Sequence, residues 1–298
     1  MIQIAVVSGK GGTGKTTISA SLAFLFDKKN LVMADCDVDA PNLHLILKPE
    51  VKQKIDYYGG KKAVIHKDPC IKCGVCEQVC RFDAIYTDKE GMYYVDKYAC
   101  EGCNACVIAC PVNAIELVEE RSGEYYLSVS KEREIIVTHA LLEPGEETSG
   151  GLVAEVRKLA IEKAKEEKKE VIVIDGAPGI GCPASSSITG VSYVLIVTEP
   201  TMSGLHDLKR IIELTKQFRR SFSVVINKYD VNEDMSKKIE EYCKSEEIEI
   251  LGKIPFDEDV VKSNVFGLPV VEYSDGKASR EIKNIFNKLT ERVFKRRS

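Results

Sequence analysis

Gly9-Lys-Gly-Gly-Thr-Gly-Lys-Thr16 is the stretch that decides the fold. It satisfies the pattern G-x-x-x-x-G-K-[ST] and lies where that pattern has a mechanism, between a buried strand candidate and a helix candidate. The strand is the apolar run 2–7, and the helix shows in Ile18, Leu22, Leu25 and Phe26, which recur on one face. Glycines let the backbone turn tightly enough to aim N–H groups at phosphate oxygens, and the helix N-terminus adds positive partial charge. Gly9, Lys10, Gly11, Gly12, Thr13, Gly14, Lys15, Thr16 and Thr17 are therefore the expected phosphate-binding residues. Lys15 is expected at the β- and γ-phosphates and Thr16 at a Mg²⁺ ion. A glycine-rich turn without a ligand is the plainer alternative, and the strand–loop–helix setting speaks against it.

Outward from the loop, an α/β pattern continues. A second strand candidate at 31–34 runs into Asp35-Cys-Asp-Val-Asp-Ala-Pro-Asn42. Further strand candidates fall at 171–174, 193–197, 224–226 and 248–254, separated by helical stretches such as 152–168 and 203–218. This alternation predicts a mostly parallel, doubly wound α/β sheet with helices on both faces. Asn227-Lys-Tyr-Asp230 follows one of the apolar strands. An Asn amide can both donate to and accept from a purine edge, so Asn227 and Lys228 are expected at a nucleobase.

Between about residues 60 and 120 the alternation stops. Cys70, Cys73, Cys76 and Cys80, then Cys100, Cys103, Cys106 and Cys110, form two C-x₂-C-x₂-C-x₃-C runs, and Asp83-Ala-Ile85 is answered by Asn113-Ala-Ile115 thirty residues on. Eight of the 11 cysteines thus have metal-ligand spacing, which argues for a reducing compartment rather than disulfides. Two [4Fe-4S] clusters are expected, with two Cys₄ zinc sites as the alternative. In two-cluster ferredoxins, which this repeat resembles, the fourth cysteine of each run ligates the other cluster. That resemblance implies Cys70, Cys73, Cys76 and Cys110 for one cluster and Cys100, Cys103, Cys106 and Cys80 for the other. Pro111 fits the ferredoxin pattern after its fourth cysteine; Arg81 departs from it and is expected to perturb the first turn without removing a ligand. The expected domains are an α/β domain in two parts, 1–60 and 121–298, and a small α+β ferredoxin-like insert, 61–120.

Lys10, an early lysine in the glycine loop, resembles the deviant P-loop of the MinD/ParA/nitrogenase-iron-protein class of ATPases. The resemblance continues in Asp35–Asn42, in Ile174-Asp-Gly-Ala-Pro-Gly179 and in Gly252-Lys-Ile-Pro-Phe-Asp257, and so spans nearly the whole chain outside the insert. It implies that Lys10 reaches across a homodimer to the partner's nucleotide, that Asp175 holds Mg²⁺ through water, and that Asp37, with Asp39 as runner-up, orients the attacking water. Asp35 would pack near the Mg²⁺ shell and Pro255 near the nucleotide. The bland alternatives are a strand-end turn for Asp175 and an acidic run that merely caps and turns toward Pro41. ATP is the expected nucleotide; GTP stays open because 227–230 resembles the guanine-reading tetrapeptide of GTPases. Cys182 stands after Asp175 much as a subunit-bridging cluster ligand does in the nitrogenase iron protein, although a free cysteine in a switch loop is the simpler reading. Cys36 and Cys243 carry no expected role.

Over essentially its full length the chain resembles the MinD-superfamily ATPases with an inserted ferredoxin domain. The implied function is ATP-gated electron transfer through two [4Fe-4S] clusters in a cytoplasmic homodimer with an unidentified redox partner. The alternatives are an iron–sulfur or metal-cofactor assembly or carrier ATPase serving a client protein, and a MinD-like positioning ATPase whose insert is a docking platform. With 42 basic and 46 acidic side chains among 298 residues, no global field favours nucleic acid or an anionic membrane. Residues 2–7 are too short for an export signal, and no apolar stretch reaches the roughly eighteen residues of a membrane-spanning helix. Near the C-terminus Ile282, Ile285, Phe286, Leu289 and Val293 recur at helical spacing with Lys and Arg around them, through Arg297. Such a stripe docks on a sheet or, as in MinD, lies on a membrane; docking is the expectation. The 4 His are scattered without ligand spacing.

Overall fold

Runs such as Ile2–Ser8 (IQIAVVS), Tyr193–Thr198 (YVLIVT) and Val171–Pro178 (VIVIDGAP) are apolar and β-branched almost throughout, the composition of strands covered on both faces. In the computed structural model, which describes residues 1–146 and 149–294, these three are neighbours at the centre of a nine-stranded sheet. Parallel pairings run from Ile250–Ile254 through Phe222–Asn227, Tyr193–Thr198, Ile2–Ser8, Val171–Pro178 and Leu31–Asp35 to Ile136–Leu142. Gly123–Ser130 and then Pro49–Tyr57 complete the sheet. This is the parallel α/β architecture that the alternating pattern predicts. Pro49–Tyr57 was not among the strand candidates, because PEVKQKIDY reads as a polar segment. It forms the sheet's last strand and is mostly exposed, so its charges cost no desolvation and discourage pairing with a further chain.

The chain divides into two compact units. The larger comprises Met1–Ile55, Tyr125–Leu141 and Ser149–Ser298; the smaller comprises Asp56–Glu124 and Leu142–Thr148. In the larger unit, register aligns Val6 with Asp175 and Asp175 with Asp35, so two acidic residues lie side by side on adjacent strands. The helix Lys15–Leu25 leaves the loop that follows Ile2–Ser8. The final helix, Lys277–Phe294, buries Ala278, Ile282, Ile285, Leu289 and Val293 in the core of this unit, and Phe286 meets Phe26 edge to face with ring centroids 4.8 Å apart. The apolar stripe is therefore occupied by the sheet; Lys295, Arg296 and Arg297 lie outside the described residues. Among the described residues, no helix is long and apolar enough to cross a membrane.

The smaller unit turns the cysteine repeat into a repeated backbone. Short helices Val75–Val79 and Ala105–Ala109 each start after a left-handed residue, Gly74 (φ 77°) and Asn104 (φ 70°). Left-handed residues recur at Lys72 and Gly102 (φ 57° and 61°) and at Asp83 and Asn113 (φ 50° and 52°). Gly60–Ile65 pairs antiparallel with Ile115–Glu120, and Ile85–Thr87 with Tyr93–Val95. Arg81 does not perturb the first turn. Cys80 before it (φ −75°, ψ 116°) matches Cys110 before Pro111 (φ −74°, ψ 113°), and both following positions are exposed, so neither side chain is constrained by packing.

Leu289 is fully buried in the core that joins the last helix to the sheet. Leu289→Ala is expected to lower stability by about 2–5 kcal/mol, read as a fall in the urea midpoint at unchanged slope.

Candidate nucleotide cleft and cysteine centres

Gly11, Gly12, Gly14, Lys15, Thr16 and Thr17 form one wall of an open cleft of about 950 Å³; Asp37, Asp39, Ala40, Asn42 and Pro178 form the other. Gly12 and Gly14 adopt φ of 79° and 92°, a region costly for a residue with a Cβ. Gly14 also faces the Asn227 side chain so closely that a Cβ would lie 2.3 Å from Nδ2. The floor of this arrangement is acidic. Asp175, 1% exposed, accepts from the Ser19 hydroxyl at 2.9 Å through Oδ1, while Oδ2 has no hydrogen-bond partner. Asp35, also 1% exposed, accepts from the N–H groups of Asp37 and Leu43, both at 3.2 Å.

Burial pushes the Asp35 carboxyl well above the usual range, and Asp175 beside it pushes the same way. Asp175 and the half-buried Asp37 are also raised by burial, against the pull of the Lys15 ammonium. The buried Asp175 carboxylate and the Thr16 hydroxyl beside it are hard oxygen donors of the kind that a divalent cation takes. The residues present therefore fit Mg²⁺ at Thr16 and Asp175.

Several sequence-predicted residues are not among the cleft walls: Gly9, Lys10, Thr13, Asp175, Asn227, Lys228 and Pro255. Gly9 packs where a Cβ would lie 2.3 Å from the Asp207 carbonyl oxygen, so it serves close helix packing. Lys10 turns to Glu199, with Nζ 2.7 Å from Oε1, and donates to Ser203 Oγ (3.0 Å) and Thr201 Oγ1 (3.3 Å). Asn227 donates from Nδ2 to the Thr13 carbonyl at 2.8 Å and accepts from the Lys228 N–H, so both ends of its amide are engaged in bracing the glycine loop. Lys228 Nζ lies 3.6 Å from Glu199 Oε2, and Asp230 accepts from the Phe256 N–H at 2.6 Å, tying the loop at Pro255 to the loop at Asn227. Glu199 and Ser19 were missed. An acid directly after an apolar strand, and a serine one helical turn past Thr16, were the signals available.

In the smaller unit the eight thiols sort into two cavities. Cys70, Cys73, Cys76 and Cys110 line one of about 320 Å³; Cys80, Cys100, Cys103 and Cys106 line another of about 340 Å³. Each cavity thus takes three cysteines from one run and the fourth from the other. Among the described residues no three His, Cys, Asp or Glu side chains meet around a single-ion position; the thiols instead surround a volume. Four sulfurs around an apolar-walled volume are the donor set of a [4Fe-4S] cluster. The Ala114 N–H donates to Cys110 Sγ at 3.2 Å and the Ala63 N–H to Cys100 Sγ at 3.5 Å. Burial pushes the Cys76 and Cys106 thiols up, so a metal bound there would have to displace their protons. In the larger unit Cys36 and Cys243 are fully buried, and Cys182 is exposed at the start of the helix Cys182–Ile188.

Comparison with known proteins bears on both parts of the chain. Residues 4–270 match the CobQ/CobB/MinD/ParA nucleotide binding domain. An uncharacterized protein of Methanocaldococcus jannaschii is 37% identical over 296 residues, 98% of this chain and 97% of its own. An uncharacterized ferredoxin of the same organism is 35% identical over 109 residues, 34% of this chain and 72% of its own. The septum site-determining protein MinD complexed with Mg-ADP from Pyrococcus horikoshii shares the fold, with a TM-score of 0.58 at 18% identity over 98% of this chain and 97% of that one. The match over 4–270, together with the glycine loop and acidic floor that those residues build, makes this chain a member of the CobQ/CobB/MinD/ParA nucleotide-binding family.

Proposed function

We propose that this chain is an ATP-hydrolysing iron–sulfur protein in which nucleotide state controls electron transfer through two [4Fe-4S] clusters. The observation that carries the reading is the crossed sorting of eight cysteines into two cavities, in a chain that also has the glycine-loop cleft. ATP is the substrate. Lys15 neutralises its β- and γ-phosphates, Thr16 and Asp175 hold Mg²⁺, and Asp37 orients the attacking water, with Asp39 on the same wall as the alternative. Lys10 acts on the nucleotide of a second copy, for which it must leave Glu199. Asn227, Lys228 and Pro255 approach the base only after their bracing contacts rearrange. The cysteine-bearing segment, 61–120, works as a ferredoxin-like insert between ATPase segments 1–60 and 121–298, in a reducing, cytoplasmic setting. Clusters held there would supply one-electron carriage. The thiolates of each set hold one cluster, and the N–H groups of Ala63 and Ala114 fix the orientation of two sulfurs.

A second reading, a metal-cofactor carrier, is favoured by one observation: Cys73 and Cys103 are exposed, one in each set. Transfer of radiolabelled iron to an apo-protein on ATP addition would support it, and clusters that stay in place would sink it.

The deciding experiment is redox-titrated EPR on the anaerobic full-length protein with and without Mg-ATP. Coupling between sites is reciprocal, so gating requires a nucleotide-dependent potential; a tenfold change in the reduction equilibrium is about 59 mV for one electron. Unmoved potentials would remove the gating. Crossed ligation makes a separate prediction: Cys80→Ser removes the same spectroscopic centre as Cys103→Ser, and Cys110→Ser the same one as Cys73→Ser. Were Cys80→Ser to remove the Cys73 centre instead, the crossing would be wrong.

The acidic floor predicts a pH dependence. The folded-state pKa of Asp35 is raised, first by burial and then by Asp175. The unfolded chain gives up that proton first, so the contribution of Asp35 to stability is complete below its unfolded value of about 3.9 and is lost as pH rises through the folded value. For nucleotide-free protein, denaturant midpoints across this range are expected to decline less steeply in Asp35→Asn than in the wild type.

A further inference from the structure

The thirty-residue repeat is nearly symmetric in backbone but not in charge. In the half built on Cys100, Lys62 donates from Nζ to the Cys100 carbonyl at 3.0 Å and pairs with Glu146 at 3.7 Å. Both side chains are largely shielded, 14% and 10% exposed. At Cys70, the counterpart of Cys100, the nearby lysines go elsewhere. Lys67 lies over the Tyr94 ring, 5.2 Å from its centroid, and Lys72 donates to the Glu90 carbonyl at 3.0 Å. Ile71 lines the first cavity where Glu101 lines the second. Glu101 is exposed, so solvent and salt screen it far more than the shielded Lys62.

Taking on an electron makes a centre more negative by one charge, and a fixed cation beside a ligand stabilises that state. Resting on the reading that both cavities hold [4Fe-4S] clusters, we propose that Lys62 is a positioning residue that raises the reduction potential of the centre held by Cys80, Cys100, Cys103 and Cys106 above that of its twin. Glu146 moderates the effect by neutralising part of the Lys62 charge. The pair makes two centres of duplicated backbone unequal, so an electron from an external one-electron donor settles preferentially on the Cys100 side.

The test is redox-titrated EPR of full-length wild type, Lys62→Gln, Lys62→Arg and Glu146→Gln, with dithionite and mediators as reductant and iron content measured on each. Lys62→Gln is expected to lower the higher of the two potentials by about tenfold in the reduction equilibrium, roughly 59 mV, and to leave the other in place. Glu146→Gln is expected to move the same potential upward, and Lys62→Arg to titrate close to wild type. A purely structural Lys62 would change iron retention or stability without these opposite shifts. Should Lys62→Gln fail to hold iron, the sign of the Glu146→Gln shift decides. Iron-loaded variants that titrate like wild type, or shift both centres equally, overturn the proposal alone. Absence of iron from wild type prepared anaerobically overturns the reading beneath it as well.

Discussion

Two carboxylates buried side by side set the terms for the large unit. Asp35 and Asp175 are register partners on adjacent parallel strands, and each is 1% exposed. Two like charges so placed cannot both be ionised without several kcal/mol of compensation, and the hydroxyl and N–H donors around them are neutral. The compensation available is cationic. Lys15 pulls the Asp175 and Asp37 carboxyls down, and a divalent ion at the Asp175 carboxylate would do the same. A fold that buries acids under a phosphate-binding loop therefore gains stability when cation and nucleotide arrive together, which is linkage between ligand binding and folding.

The smaller unit meets a different constraint. Its buried core consists of Ala63, Ala84, Ile85 and Ile115 with Cys76, Cys100 and Cys106, so three of its seven members are thiols. Helices of five residues cannot persist through propensity alone. A segment of this size with so little buried apolar mass gains from something more than side-chain packing, and the proposed metal centres, each tying thiols from both halves of the repeat, would supply it. Each cavity takes its fourth thiol from the other half of the repeat, and this has a mechanical result. Neither half can close its own cavity, so the unit closes as a whole.

The sequence is most legible where chemistry is local. The glycine loop, its flanking strand and helix, the apolar central strands and the two cysteine runs all carry their meaning within about a dozen residues. Edge strands were harder, because Pro49–Tyr57 is exposed and its charges hide a strand pattern. Long-range partners were illegible. Asn227 braces the carbonyl of Thr13, Glu199 holds Lys10, and Lys62 reaches Cys100, contacts that depend on which loops the sheet order brings together. Asn227 shows how a plausible local reading competes with a tertiary one: its amide suits a purine edge, yet here its donor and acceptor are both satisfied by backbone.

Duplication within the small unit separates what a repeat must keep from what it is free to change. The positive-φ positions survive in register, Lys72 with Gly102, Gly74 with Asn104, and Asp83 with Asn113, although in no pair are the two residues the same. The conformation is thus held by the geometry of the thiol loops more than by glycine's freedom. Gly102 is where glycine is irreplaceable, since a Cβ there would lie 2.1 Å from the Lys61 carbonyl oxygen. That close approach places the strand carrying Lys61 and Lys62 against the Cys100 loop, and the ammonium of Lys62 can reach the Cys100 carbonyl as a result. Lys72, at the matching position of the first half, carries a full side chain and turns it to Glu90. A single glycine thus admits a cation to one half of the repeat, and the difference in charge around the two thiol-lined cavities follows from backbone packing.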